Sequence, residues 1–416
     1  MAHFLLTPFG SAGDVNPFIW MGRLLKARGH EVELITAPMF RPMVEGAGLT
    51  FLPLGEEAEF ETLVRHPDLW KPLKGTALVL ECGAKFLRPC YEVIASRIRP
   101  GESRLVSPFH LFAARVAREK FGVPLVSTHL QPSCFLSLYD TPILIPGMEW
   151  ITRLPKWVKR LMFSMPNPAD FKLAPVLKNL CRDIGVTPPP RPLPHWMHSP
   201  DANLALFPSW FAAPQPDWPV HTTQTGFPLE DLKGQYPLPD ALLAWLAAGD
   251  KPVLLSPGSG NAQAREFFHE GLEACRLAGM RALIGTRYPE QLPSPLPEFA
   301  QHFDYLPFGE LLPHVSVLVH HGGIGTLSQA LATGVPQLLM PMGHDQPDNA
   351  ARLEKLGASA TVYPKNFKAV TIASALKNLA ENDRVAAACR TAAAKCYEAR
   401  PAAIAVQVLE SVVRRD

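Results

Sequence analysis

The feature that most constrains the fold is an arrangement found in both halves of the chain. A short apolar run leads into a glycine-containing turn, and a helix-forming segment follows. In the first half the run 3–7 leads into the turn 9–15, and in the second half the run 315–319 leads into 320–326. Further strand-forming and helix-forming segments alternate after each of them. Strands that alternate with helices predict a parallel sheet covered on both faces, so the sequence predicts two α/β domains.

The turns also predict where helices begin. Asn16 suits an N-cap and Pro17 the first helical position, so a helix is predicted over 18–28. In the second half a helix is predicted over 327–333, and Pro347 predicts the start of the next one. Parallel sheets of this kind bind ligands at the carboxyl ends of their strands, so these turns are where a site is expected.

The chain has 416 residues, more than one domain of about 150 residues would need. Its 44 prolines are about twice the average usage of about 5% and mark rigid connections. We predict an N-terminal domain over 1–212, a linker over 213–237, a second domain over 238–398, and a helix over 399–416 that packs on the first domain. The Pro-, Met- and Trp-rich segment 131–200 is either ordinary core or the wall of a pocket for an apolar ligand.

Composition excludes several classes of protein. Forty basic against 38 acidic residues give a net charge of +2 without a basic cluster, which argues against nucleic-acid binding. No apolar run is long enough to span a membrane, and the N-terminus lacks the features of a signal peptide. The seven cysteines include no CxxC pair, so we expect reduced thiols in a cytoplasmic protein rather than a zinc site or disulfides.

The strongest chemical signal is the turn 320–326. Its three glycines let the backbone approach an anion, and the following helix N-terminus offers N–H groups and a positive dipole end. The hydroxyl of Thr326 and the imidazole of His321 can donate to the same anion. The alternative is a tight strand-to-helix turn with a buried core histidine.

Two further signals involve carboxylates. Asp345 and Gln346 stand at the mouth of a helix, where they either bind sugar hydroxyls or only cap the helix. Asp14 follows the first strand, where it serves either as a general base or as a carboxylate favoured by the helix dipole. His110 or His129 is able to assist Asp14, although a structural role suits both. A phosphate site beside hydroxyl-binding side chains suggests a sugar phosphate.

Other nucleotide-binding families fit less well. The first turn is not G-x-G-x-x-G and the second strand ends without an acidic residue, which argues against a dinucleotide dehydrogenase. The chain has no G-x-x-x-x-G-K-[ST], so it is not a P-loop NTPase. A metal site is not favoured, because adjacent histidines do not easily converge on one ion; the side chains considered are His320, His321, His344 and Asp345.

Together these residues resemble the signature of the family 1 glycosyltransferases, which have the GT-B fold. The resemblance rests on 305–308, 320–326, 334–336 and 345–350, and on 10–17 in the first half. It implies two Rossmann-like domains with parallel sheets facing a cleft, and a C-terminal helix that returns to the N-terminal domain. It also implies an inverting transfer of a hexose from a nucleotide-diphosphate sugar to a hydroxyl, with no cofactor and no metal.

The resemblance assigns a role to each matching residue. Asp14 matches the general base of the family. Gly10, Ser11 and Gly13 match the family's loop beside the acceptor. The residues that match the diphosphate site are Gly258, Ser259, His321, Gly323, Gly325 and Thr326. Those that match the nucleobase and ribose site are Tyr305, Leu306 and Gln329, and those that match the donor-sugar site are Asp345 and Gln346. Gly325 and Gln329 differ from the Asn and Glu of plant members, which leaves the choice of nucleotide open.

Within that family, segments 195–200, 207–211, 217–219 and 225–228 are similar to the rhamnosyltransferases of bacterial rhamnolipid biosynthesis. This implies a dTDP- or UDP-linked rhamnose or glucose as donor and a hydroxy-fatty-acid acceptor, with a sterol, polyketide or phenol as the alternative acceptor. The expected partners are these two substrates, without nucleic acid. The protein is expected to be cytoplasmic, with a peripheral contact with the inner membrane as the alternative. A non-catalytic sugar-nucleotide-binding protein and an epimerase are the remaining classes, and the presence of Asp14 favours an enzyme. The sequence does not determine the oligomeric state.

Overall fold

The computed structural model describes residues 1–229, 237–398 and 400–415. The chain divides into two compact units, each built on one fully parallel sheet flanked by helices. Two Rossmann-like α/β domains are therefore confirmed. Among the described residues, no helix is long and apolar enough to cross a membrane. All seven cysteines are free thiols, and all except the half-buried Cys82 are buried.

The first unit comprises Met1–Pro142, Glu149–Pro228 and Arg400–Asp416. Its strands are β1 (His3–Leu6), β2 (Glu31–Thr36), β3 (Thr50–Pro53), β4 (Ser103–Pro108), β5 (Leu125–His129), β6 (Ala202–Ala205) and β7 (Thr222–Gln224). Their order in the sheet is β3-β2-β1-β4-β5-β6-β7. The helices before the second unit are α1 (Ala12–Ala27), α2 (Arg41–Gly46), α3 (Glu57–Val64), α4 (Lys74–Arg97), α5 (Phe112–Phe121), α6 (Lys156–Ser164), α7 (Pro168–Lys172), α8 (Ala174–Ile184) and α9 (Pro192–His195).

The second unit comprises Ile143–Met148 and Leu229–Ala399. Its strands are β8 (Val253–Ser256), β9 (Ala282–Gly285), β10 (Ala300–Phe303), β11 (Val317–His320), β12 (Gln337–Leu339) and β13 (Ser359–Thr361), in the order β10-β9-β8-β11-β12-β13. Its helices are α10 (Asp240–Ala247), α11 (Arg265–Ala278), α12 (Phe308–Leu311), α13 (Ile324–Thr333), α14 (Gln346–Lys355), α15 (Ala369–Glu381) and α16 (Asp383–Glu398). Strands β8 and β11 are fully buried, as expected for central strands covered on both faces.

The last helix, α17 (Pro401–Ser411), belongs to the first unit, where it contacts α1. Its apolar side buries Ala405 and Leu409, and Glu410 accepts hydrogen bonds from the Nε of Arg28 at 2.5 Å and a ring nitrogen of His30 at 2.9 Å. The expected return of the C-terminal helix to the N-terminal domain is thus confirmed.

Two predicted helix starts are wrong. Helix α1 begins at Ala12 instead of 18, because Asp14 in its first turn accepts a hydrogen bond from the N–H of Ser11 at 2.7 Å. That contact is half of a capping box, and it starts the helix before Pro17, which lies inside it. Helix α13 begins at Ile324 instead of 327, so Thr326 lies within its first turn.

The predicted linker over 213–237 is also wrong in its first part. Residues up to Pro228 belong to the first unit, and β7 pairs with β6 at the edge of its sheet. Strand β7 has only three residues, and all of them are half-exposed. It therefore shows no apolar pattern that would predict a strand. The rest of that linker, 230–236, lies outside the described residues. Ile143–Met148, predicted within the first domain, belongs to the second unit, where the Ile143 N–H donates to Asp348 Oδ1 at 3.2 Å.

Candidate active site

The register of the second sheet brings the predicted donor-binding loops to one edge. His320, the last residue of β11, pairs with Ser256 of β8 on one side and with Leu339 of β12 on the other. Because these strands are parallel, the segments that follow them leave from the same edge. The sheet order changes direction between β8 and β11, which is the position where doubly wound sheets bind ligands.

His320 is a structural residue of this loop. Its Nδ1 accepts the Gly322 N–H at 3.2 Å, and its Nε2 lies 3.0 Å from Gln337 Oε1. These partners assign the proton to Nε2, since Nδ1 is the acceptor. Burial, followed by the nearby His321, lowers the pKa of His320 to about 3, so the ring is neutral and fixes the backbone turn.

His321 lies between two glycines that belong to different loops. A β-carbon on Gly258 would lie 2.6 Å from His321 Cε1, and one on Gly323 would lie 2.6 Å from His321 Nε2. Gly258 also has φ +103°, a conformation that a residue with a side chain rarely adopts. Glycine at both positions therefore allows the loop after β8 and the loop after β11 to close on one imidazole.

The electrostatic state of His321 follows from its position. Burial, followed by the neighbouring His344, lowers the pKa of His321 to about 4. The imidazole is therefore neutral near pH 7 and able to donate one N–H to a ligand. His321 therefore offers a ligand one hydrogen-bond donor and not a full positive charge.

The first turn of α13 completes an anion-binding geometry. Gly323 is the N-cap, and the first intrahelical bond runs from the Leu327 N–H to the Gly323 carbonyl at 3.0 Å. The N–H groups of the first turn have no partner inside the helix, so they point beyond its end. Gly325 is exposed and Thr326 is half-buried, so this end of the helix is accessible to a phosphate.

The loop after β12 is tied to the same turn. Asn349 Nδ2 donates to the Gly322 carbonyl at 2.9 Å and to Asp345 Oδ2 at 2.7 Å. The sequence comparison gives Asn349 no role of its own. Its spacing of four residues from Asp345 places both on one helix face, and this spacing could have indicated their contact. Asp345 is half-buried at the N-cap of α14. This contact places the Asp345 carboxylate, predicted to bind the donor sugar, beside the turn 320–326.

The remaining predicted donor residues differ in exposure. Gln346 is buried, and its Oε1 accepts the N–H groups of residues 342 and 343 at 2.8 and 3.3 Å, so its Nε2 is the group left for a sugar hydroxyl. Tyr305 is 49% exposed after β10, as a residue stacking on a base would need, whereas the Leu306 side chain is in the core. Gln329 is half-buried one turn after Thr326, and Ser259 is exposed. Their assignments stay predictions.

In the first unit, Asp14 is held in a specific geometry. Its Oδ2 accepts hydrogen bonds from the N–H of Ser11 at 2.7 Å and from the Ser11 hydroxyl at 3.0 Å. Gly10 has φ +136°, and a β-carbon there would lie 2.3 Å from Asp14 Oδ2. Gly13 is exposed in the first turn. The predicted acceptor loop therefore leaves room for the carboxylate only because position 10 is glycine.

His110 is the titratable neighbour of Asp14. Strands β1 and β4 pair from His3 to Leu6, and Thr7 donates its hydroxyl to Ser107 Oγ at 2.8 Å, so the segments after these strands lie together. Burial lowers the pKa of His110, while the negative charge of Asp14 and a hydrogen bond to the Phe9 backbone oppose that shift. Of the two histidines considered from the sequence, His110 is thus the one placed against Asp14.

His129 occupies a different environment. It is fully buried at the end of β5, and its Nε2 lies 3.3 Å from His198 Nδ1. Phe135 stacks on both His198 and Trp218, and these three rings form part of the wall of a cavity of about 280 Å³. The segment 131–200 therefore contributes to a pocket wall, and it also contributes ordinary core such as Leu177 of α8.

One cluster in the described part of the chain has the composition of a metal site. His3, Glu31 and Glu33 bring their ligand atoms within 4.8 Å of one another. However, Arg97 pairs with Glu33, and Arg99 pairs with Glu31 at 2.5 Å. Because both carboxylates already carry an arginine partner, the cluster is an ion-pair network at the other end of β1 from Asp14.

Two family descriptions match the chain. The glycosyltransferase family 28 N-terminal domain matches residues 4–95, and the erythromycin biosynthesis protein CIII-like C-terminal domain matches residues 286–411. These matches cover the loop of Asp14 and the loop of His321, respectively.

Curated relatives match most of the chain. O-mycaminosyltylonolide 6-deoxyallosyltransferase of Streptomyces fradiae is 30% identical over 86% of this chain and 85% of its own length. Glycosyltransferase GtfE of Amycolatopsis orientalis is 30% identical over 85% of this chain and 84% of its own length. A sterol 3-beta-glucosyltransferase of Pichia angusta is 24% identical over 92% of this chain, but over only 31% of its own length.

Solved structures share the whole architecture. The calicheamicin glycosyltransferase CalG4 superposes with a TM-score of 0.70 at 22% identity, covering 99% of this chain and 98% of its own. The spinosyn rhamnosyltransferase SpnG, complexed with thymidine diphosphate, has a TM-score of 0.67 at 20% identity and covers 99% and 100% of the two chains. At this identity the likeness establishes the fold alone.

Proposed function

The chain belongs to the family 1 glycosyltransferases of the GT-B fold, and from this premise we propose that it is an inverting, metal-independent hexosyltransferase. It acts on nucleotide sugars, as its family does. The proposed donor is a dTDP- or UDP-linked rhamnose or glucose. The proposed acceptor is a hydroxyl of a hydrophobic molecule.

The single observation that carries this proposal is the closure of two loops on His321 at the N-terminus of α13. A β-carbon on Gly258, in the loop after β8, or on Gly323, in the loop that carries His321, would lie 2.6 Å from the ring, and α13 begins directly after Gly323. An anion placed there meets a neutral N–H donor, backbone N–H groups and the hydroxyl of Thr326. This set of donors suits a diphosphate, whose charge increases when it leaves as the glycosidic bond breaks.

In the proposed reaction, the acceptor oxygen attacks the anomeric carbon as the bond to the β-phosphate oxygen breaks. Asp14 accepts the proton of the acceptor hydroxyl, and the nucleoside diphosphate leaves with the electron pair of the broken bond. Attack from the face opposite the leaving group inverts the anomeric centre. Each well-placed donor at the leaving group supplies about 3–4 kcal/mol of transition-state stabilisation, and the general base supplies about 10²–10⁴ in rate.

The proposed acceptor is a hydroxy-fatty-acid lipid, which would give a rhamnolipid-like product. Support comes from the aromatic and apolar wall of Phe135, Met197 and Trp218 in the first unit. A second candidate is a macrolide-type polyketide, because the name of the 30% identical Streptomyces fradiae relative is that of a sugar transferase acting on O-mycaminosyltylonolide.

Donor and acceptor can be tested together by following nucleoside diphosphate release. Purified protein is incubated with dTDP-rhamnose, UDP-glucose or UDP-galactose, each with a 3-hydroxydecanoate lipid, a macrolide aglycone, a sterol, or no acceptor. Release that depends on an acceptor supports transfer, and EDTA should leave it unchanged. Release without any acceptor, or sugar conversion without release, would contradict the proposal.

A further inference from the structure

Helix α6 of the first unit exposes large apolar side chains that nothing in the described chain covers. Trp157 is 71% exposed and Leu161 is 59% exposed, and they lie one turn apart on the same face. Two neighbouring segments add Trp150, which is 54% exposed, and Met165, which is 53% exposed. Large exposed apolar groups in one segment mark an interaction surface rather than scattered surface residues.

The same face of α6 carries positive charge. Lys156 and Arg160 are exposed and stand next to Trp157 and Leu161 in the helical repeat. Within the described residues, neither forms an ion pair, and Lys156 lies 3.3 Å from the ring centroid of the half-exposed Tyr139. The helix thus presents an apolar stripe beside two cations that have no acidic partner in the described structure.

The opposite face of α6 is anchored to the unit. Lys159 is buried, and its ammonium group donates to the carbonyls of Thr152 at 2.8 Å and Leu138 at 3.4 Å. This anchoring fixes which side faces outward, so the exposure of Trp157 follows from the fold. The C-terminal helix α17, in contrast, buries its apolar side on α1 and offers no comparable face.

We propose that the outward face of α6, defined by Lys156, Trp157, Arg160 and Leu161, binds the surface of an anionic lipid bilayer. Tryptophan and leucine insert at the level of the headgroups, and the cations pair with anionic lipid phosphates. The absence of acidic partners for Lys156 and Arg160 in the described structure favours an anionic surface over a neutral one. This surface shares no residue with the proposed donor site, and it adds a membrane contact to the proposed activity.

The test is sedimentation of the full-length protein with vesicles of phosphatidylglycerol or of phosphatidylcholine. We expect binding to the anionic vesicles that weakens as salt rises, because exposed charges are screened. The Lys156→Gln/Arg160→Gln variant should bind about 25-fold more weakly, since each basic residue contributes about fivefold near an anionic surface. The Trp157→Ser/Leu161→Ser variant should lose at least about tenfold.

Matched controls separate this face from general effects of charge and apolarity. Lys365→Gln/Lys377→Gln removes two exposed cations from the second unit, and Val370→Ala/Tyr397→Ala removes exposed apolar groups of similar exposure there. Both control variants should bind vesicles as the unmodified protein does. Equal binding to both lipids, or no binding to either, would overturn the proposal. A dimer in sedimentation velocity that Trp157→Ser/Leu161→Ser dissociates would overturn it in favour of self-association.

Discussion

The imidazole of His321 packs so closely on Gly258 that a β-carbon at position 258 would lie 2.6 Å from His321 Cε1. The two residues belong to loops that follow neighbouring strands, β8 and β11. Their contact determines the position of the imidazole relative to the first turn of α13. The geometry of the proposed diphosphate site therefore depends on the close approach of two residues that are distant from each other in sequence.

Substitution Gly258→Ala should lower the affinity for dTDP or UDP at least about tenfold, measured by titration calorimetry. The added methyl group displaces His321, and the residue must also keep φ +103°, which costs about 1–2 kcal/mol with a side chain. Gly279→Ala is the matched control, because it has φ +71° and no atom within 4 Å of the added carbon. Equal losses of affinity in both variants would show that backbone strain, not the His321 contact, is responsible.

Substitution Asp14→Asn should cut turnover by about 10²–10⁴ while leaving dTDP affinity unchanged. The amide oxygen can still accept the Ser11 N–H, so the start of α1 is preserved while the base is lost. Ser11→Ala, which removes only the hydroxyl contact to Asp14, should cost far less. Turnover of Asp14→Asn close to that of the unmodified enzyme would show that another group accepts the proton.

Substitution Thr326→Ala should weaken dTDP or UDP binding, because it removes a hydroxyl donor from the first turn of α13. The expected loss is about five- to tenfold, corresponding to about 1–1.5 kcal/mol for one hydrogen bond. Ser328→Ala on the same helix is the control, since that buried hydroxyl donates to the Gly325 carbonyl at 2.9 Å. Calorimetry that gives the two variants the same affinity would count against a contact between Thr326 and the diphosphate.

Acid should destabilise this protein through its buried neutral histidines. Burial lowers the pKa values of His198 and His321 to about 4 and that of His320 to about 3, from an ordinary 6.5. As the pH falls below 6.5, the unfolded chain binds protons that the folded chain excludes. Each imidazole should therefore cost about 1.4 kcal/mol of stability per pH unit between its two pKa values.

Urea unfolding between pH 7 and pH 4.5 measures this effect. His198→Phe keeps a ring against Phe135 and removes one titrating group, so its stability should fall less steeply with acid. Identical slopes for His198→Phe and the unmodified protein would contradict the assignment.

Substitution Asp201→Asn should destabilise the first unit by about 1.5–3 kcal/mol, because it weakens the charged hydrogen bonds of the buried Arg118 guanidinium, which then keeps only Glu119 as an acidic partner among the described residues. Asp201 is fully buried, and it accepts two hydrogen bonds from Arg118 at 2.7 Å and one from the Arg415 N–H at 2.5 Å. Thermal unfolding followed by circular dichroism reads the change. Arg28→Ala, which removes a solvent-exposed ion pair with Glu410, should barely alter the midpoint.

Much of the fold follows from local sequence. The apolar runs of β1 and β11 and the glycine turns behind them identify two α/β units, because strand burial and turn conformation depend on neighbours in the chain. The start of α1 was predicted wrongly from the same local signals. The hydrogen bond between Ser11 and Asp14 begins the helix before Pro17, although proline favours the first helical position. Strand β7 escaped detection because an edge strand of three residues needs no apolar pattern.

The sequence by itself determined the two sheets, the chemical types of the candidate site residues and their order along the chain. Only the tertiary structure decided which of them meet. Pairing of β8 with β11 closes Gly258 on His321, and pairing of β1 with β4 brings His110 rather than His129 to Asp14. The physical reason is that strand order and register are long-range properties. They place residues from distant segments in contact, whereas helical periodicity and turn chemistry report only on near neighbours.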